Sequence, residues 1–216
     1  MEEIKPLPDL SAEEQRVLGS LIEKSRTTPD YYPMTLNSLT AACNQKSSRN
    51  PIVNYDEETV TLTLNSLKLK SLISTATGGS SRVIKYKHNL GIVYPLVPSE
   101  LSIICLLLLR GPLTPGEINS NSGRLFEFES IEEILEQLQK LSDEAPAFVK
   151  LLPKKAGQKE ARFVHLLGEQ ADVQEPEQQV QQTKIFQPND ALENRIAKLE
   201  QELEELKELV NLLMDK

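Results

Sequence analysis

Apolar and polar residues along the first three quarters of the chain fall into a pattern that is written twice. "LSAEEQRVLGSLIEKS" places Val17, Leu18, Leu21 and Ile22 on one helical stripe behind an S-x-x-E capping box, Ser11 and Glu14. "TLNSLTAAC", with Leu36, Leu39, Ala42 and Cys43, predicts a second, short helix. In "YDEETVTLTLNSLKLKSLI" the Thr-rich alternation favours a strand by propensity alone. A helix is predicted instead, because Asp56 suits an N-cap, Glu57 and Glu58 suit a first turn, and Val60, Leu64 and Leu67 keep helical spacing. "LISTAT" and "RVIKYKH" then flank "GGSS", which predicts a β-hairpin. The second copy of the pattern starts with the buried helix "SELSIICLLLLR" and the short helix and turn "TPGEINSNSG". The helix "SIEEILEQLQKLSDE" follows, with Ile131, Ile134, Leu135, Leu138 and Leu141 on one face, and then "AFVKLLP" and "ARFVHLL" around "KKAGQKE".

Three helices followed by a hairpin, repeated, is a tandem winged-helix arrangement of α+β class. The first unit is expected over 8–91 and the second over 97–168, each about the size of a small domain. "LTPGE" at 113–117, "GRLFEF" at 123–128, "VKLLPKKAGQKEARFVHLLGE" at 149–169 and "NPIVNYDEETVTLTLNSLKLKSLI" in the first unit resemble the bacterial YceH family, a tandem winged-helix group of unknown function. The resemblance covers about residues 8–169. It implies the fold and no activity. Where the family pattern is more basic, this chain has "INSNSG".

The tail has a different rhythm. Residues 169–190 are acidic, rich in Gln and interrupted by Pro176 and Pro188, as expected of a flexible linker. Over 191–214, Leu192, Ile196, Leu199, Leu203, Leu206, Val210 and Leu213 recur at alternating steps of four and three. Leu stands at each d position, with Ile, Leu and Val at a. Arg195 can meet Glu200, and Glu202 can meet Lys207, across a parallel pair. This predicts a two-stranded coil and a homodimer. No basic helix runs into it, so a basic-zipper protein is excluded.

The net charge is −8, but it is unevenly placed. Residues 1–91 carry eleven Lys/Arg against ten Asp/Glu, residues 92–167 eight against ten, and residues 168–216 five against twelve. The acidity therefore belongs to the tail and says little against nucleic-acid binding by the body. Cys43 and Cys105 are far apart in apolar contexts, "IICLLLL" is too short for a bilayer, and the N-terminal stretch is acidic. These features lead to an expectation of a cytoplasmic protein with no membrane segment.

No catalytic constellation, metal set or cofactor motif is visible, so no enzyme, metal or cofactor is expected. His88 and His165 lack ligand-spaced partners, and "TGGSSR" is not a phosphate-binding loop. No Asp or Glu occurs between Thr59 and Ser99. In and beside that window Thr61, Asn65, Lys68, Lys70, Arg82, Lys85 and Lys87 are candidate contacts to double-stranded DNA, with Lys154, Lys155 and Lys159 added from the second hairpin. The helix at 129–144 is acidic and is a candidate surface for a protein partner instead. The expected function is a DNA-binding or transcription-linked factor; the alternative is a protein-interaction adaptor.

Overall fold

The computed structural model describes residues 5–78, 81–154 and 160–168. The expected linker and all seven heptad residues, Leu192 to Leu213, lie outside them. Seven α-helices and two small antiparallel sheets make up the described fold, which is mixed α+β. The helices are α1 Ala12–Thr27, α2 Leu36–Cys43, α3 Glu57–Leu69, α4 Leu90–Val93, α5 Pro98–Arg110, α6 Pro115–Ser122 and α7 Ile131–Asp143. The strands are β1 Met34–Thr35, β2 Ile73–Gly78, β3 Ser81–His88, β4 Val149–Leu151 and β5 Phe163–His165. None of the described helices is long and apolar enough to cross a membrane.

Five of the seven helices, α1, α2, α3, α6 and α7, begin at a residue whose side chain accepts from a first-turn amide. Ser11 and Glu14 close a reciprocal box at α1, and Thr114 and Glu117 do so at α6. The side chains of Thr35, Asp56 and Ser130 accept from Ser38, Thr59 and Glu133. Such caps contribute about 1 kcal/mol each. In α3 the threonines that argued for a strand are reconciled with helix: Thr61 Oγ1 donates to the Glu57 carbonyl and Thr63 Oγ1 to the Thr59 carbonyl, both at 2.7 Å.

The first sheet has strand order β1-β3-β2, so β3 is central. β4 and β5 form the second, and Leu113 bridges to Phe163 on the far side of β5. All described residues fall in one unit with a continuous core. Its centre is the packing of α1 on α5. Every residue of α5 from Ser99 to Leu109 is buried. Gly19 permits the close approach, since a Cβ there would lie 2.9 Å from Leu109. Of the five apolar residues on one face of α7, Ile134, Leu138 and Leu141 are buried, while Ile131 and Leu135 are 42% and 45% exposed. They sit at the margin of the buried stripe.

Candidate nucleic-acid interface

Two buried arginines position α3. The last carbonyls of α2 have no helical partner, as at any helix end. Arg49 donates to the Ala42 carbonyl from Nε and Nη2, and Arg16 donates to the Cys43 carbonyl at 3.4 Å. Arg49 also grips Glu23 with both terminal nitrogens, at 3.0 and 2.7 Å, and Arg16 Nη2 reaches the Pro51 carbonyl at 2.6 Å. Asn44 exchanges hydrogen bonds with the Tyr55 backbone, closing the segment that leads into α3. Burial pulls the Arg16 guanidinium below its ordinary pKa, and the nearby Arg49 charge adds to this.

With α3 so placed, Glu57, Glu58, Leu62, Asn65, Lys68 and Leu69 are exposed, while Thr61 is half-buried and its hydroxyl already committed. Lys70 is also committed. Its ammonium pairs with Glu14 at 2.6 Å and donates to the Asp9 carbonyl, tying α3 to α1. Burial alone would raise the Glu14 carboxyl. Hydrogen bonds from Lys70, Ser66 and the Ser11 amide outweigh it and hold the group below its usual value.

On β3, Lys85 pairs with Thr35 on one side and Ala76 on the other, and Lys87 pairs with Ser74. Strand alternation puts both lysines on one face and Tyr86 and His88 on the other. Lys87 is exposed and Lys85 half-buried. Arg82 lies on the same strand. Lys154 is exposed just beyond β4; Lys155 and Lys159 lie outside the described residues. Arg162, also basic and on this hairpin, is held by Glu117 through two contacts of 2.7 Å and by the Pro112 carbonyl. Sequence reasoning missed the exposed apolar residues beside the lysines: Leu62 at 64%, Leu69 at 88%, Val83 and Ile84. Leu62 and Leu69, a helical seven apart, are the one signal that would have found them.

The opposite charge collects on α7. Glu132, Glu136 and Asp143 are exposed, and the helix's single lysine, Lys140, is spent on the buried Glu100 at 2.6 Å.

The histidines serve the body. His165 is 1% exposed, and its Nδ1 accepts from the Leu167 amide. His88 Nε2 lies 3.3 Å from the Ser25 hydroxyl. Burial pushes each down to about 4 from an ordinary 6.5. Both are therefore neutral when folded, and the unfolded chain takes up protons first as pH falls. Stability is full above the unfolded value and declines from about pH 6.5 toward 4. At about pH 5 each histidine should cost about 2 kcal/mol. Urea midpoints at neutral and acidic pH measure the decline, and a flat profile across this window would refute it. Cys43 and Cys105 are buried free thiols, both raised by burial. Among the described residues no three His, Cys, Asp or Glu side chains gather as a metal would require.

Residues 10–158 match the family described as "Protein of unknown function, DUF480". The chain belongs to this family. It is 48% identical over 174 residues to a UPF0502 protein of Opitutus terrae, covering 80% of this chain and 76% of that one. It is 42% identical over 214 residues to a UPF0502 protein of Shewanella loihica, covering 96% and 99%. A UPF0502 protein of Shewanella halifaxensis is 43% identical over 214 residues, covering 96% and 100%. The family's description carries no activity, so the functional reading rests on the geometry.

Proposed function

We propose that the two three-helix-and-hairpin halves are winged helices and that the first binds double-stranded DNA, as part of a cytoplasmic, transcription-linked factor without catalytic activity. The observation that carries this is the pair Lys85 and Lys87 on one face of β3, within a window of sequence that has no carboxylate from Thr59 to Ser99. In winged helices the third helix commonly enters the major groove and the hairpin follows the backbone. Here Asn65 and Lys68 are the exposed polar groups of α3 suited to base edges and phosphate. Lys154, Lys155 and Lys159 add phosphate contacts from the second hairpin. The heptads from Leu192 to Leu213 dimerise the chain, a reading carried by their spacing alone. The test is anisotropy of fluorescent genomic duplexes with the full chain, titrated from low to physiological salt. Binding that survives physiological salt and prefers some sequences supports the reading. Binding that vanishes with salt or never appears sinks it.

A second reading has its own observation. The exposed Ile131 and Leu135 lie one turn apart on α7, bordered by Glu132 and Glu136. An apolar pair in an acidic frame suits a basic amphipathic helix of a protein partner. On this reading Ile131→Lys with Leu135→Lys abolishes capture of the partner, and on the DNA reading it leaves the duplex titration unmoved.

A further inference from the structure

The outward stripe of α3 is fixed by the side that is buried. Val60, Thr63, Leu64 and Leu67 face the core. The positions opposite, Glu58, Leu62, Asn65 and Leu69, recur at steps of four, three and four on one exposed face. Most polar groups beside them are already spent on the fold. The Thr61 and Thr63 hydroxyls donate to α3 carbonyls, the Ser66 hydroxyl donates to Glu14 at 2.7 Å, and the Lys70 ammonium donates to Glu14 and the Asp9 carbonyl. What the middle of the helix offers outward is an amide, Asn65, between two leucines that are 64% and 88% exposed. A single exposed leucine is ordinary on a protein surface. Two on the stripe that a winged helix turns toward the groove bear on what that groove presents.

We propose that this stripe makes α3 selective for A·T pairs read from the major groove, with Leu62 against a thymine methyl and Asn65 on an adenine edge. The inference rests on the DNA reading above and deepens it. The thymine 5-methyl is the only methyl group that base pairs present in the major groove, and adenine N6 and N7 are the pair that a side-chain amide meets with two hydrogen bonds. Leu62 and Asn65 are about 4.5 Å apart along the helix axis, close to one base-pair step of about 3.4 Å, so the two contacts fall on the same or neighbouring pairs. Leu69 lies about 10.5 Å beyond Leu62, roughly three steps on, where a second thymine methyl suits it. Charge points the same way. Lys68 flanks the stripe and Lys87 on β3 is exposed, both suited to phosphate. Glu58, one turn before Leu62, and Glu13, across a cleft from it, disfavour phosphate at that spot and leave the contact to base edges.

The experiment is anisotropy of the full chain with three duplexes of equal length and charge, at one salt concentration. They are alternating dA-dT, alternating dA-dU, which lacks only the 5-methyl groups, and alternating dG-dC. Burying one methyl is worth about fourfold, so the native chain should hold dA-dT at least about fourfold tighter than dA-dU. Leu62→Ala should reduce that preference, and Leu62→Ala with Leu69→Ala should abolish it. Both side chains are exposed, so the fold does not depend on them. Asn65→Ala should keep the methyl effect and narrow the preference for dA-dT over dG-dC by at least about fivefold. Equal affinity of the native chain for dA-dT and dA-dU overturns the inference and leaves the DNA reading standing. A methyl preference that survives in the double variant comes from duplex shape and overturns it too. So does failure to bind dA-dT at all. If the genomic duplexes also stay unbound, the DNA reading falls with it, and the stripe is then a surface for a protein.

Discussion

Arg49→Met should cost about 3–5 kcal/mol, the range found when one partner of a buried ion pair is removed. The Arg49 side chain has no solvent exposure, and that of Glu23 has 13%. The methionine fills the volume, so the loss is electrostatic rather than a cavity. Glu23 keeps Lys24 at 3.2 Å but loses the two-pronged guanidinium contact, and the Ala42 carbonyl loses both of its donors from Arg49. In the native chain burial would raise the Glu23 carboxyl, and the hydrogen bonds and charge of Arg49, with Lys24, bring it below 4.5. A depressed carboxyl contributes stability above its unfolded value and loses it on acidification through the folded one. In the variant the same carboxyl is raised, so the defect should shrink as pH falls toward the ordinary carboxylate range. Glu23→Gln in the Arg49→Met background should recover part of the loss at neutral pH. Urea midpoints with an unchanged slope measure all three, and a single-variant loss under about 1 kcal/mol would show that the contact is not holding α2 to α1.

The caps and stripes behind that arrangement were legible in the residues. Ser11 with Glu14, Asp56 before α3, and the spacing of Val60, Leu64 and Leu67 are short-range signals, and each element they predicted is present. α3 is the instructive case. Propensity favoured a strand, but back-bonding hydroxyls and a buried stripe fix it as helix. What stayed hidden depends on distant partners. Nothing near Gly19 announces Leu109, ninety positions on, and nothing in "SSRNP" marks Arg49 as buried. The same holds within the candidate site. Lys70 looked like Lys68 in sequence, yet one faces solvent and the other is tied to Glu14 and Asp9. On α7 the apolar face is wider than its buried part for a related reason: apolar periodicity reports which residues can be buried, while the neighbours decide how wide the covered stripe is.

Replacing Arg82, Lys85 and Lys87 together with Ala should flatten the salt dependence of duplex binding as well as weaken it. Each phosphate contact adds about 0.9 to the slope of log affinity against log salt, so three lost contacts remove about 2.7. The loss should be uniform across sequences, because backbone contacts position a protein without reading bases. Asn65→Ala should behave differently. It leaves the slope alone and relaxes preference at one base position by about 1–3 kcal/mol. Lys70→Ala separates charge in general from charge in place: it removes the Glu14 contact and lowers stability, and it leaves the slope unchanged because its ammonium is already satisfied within the fold. The measurement is anisotropy at several salt concentrations for each variant. If the triple variant keeps the native slope and affinity, the β3 face does not meet DNA. The exposed apolar and acidic face of α7 then becomes the surface to pursue.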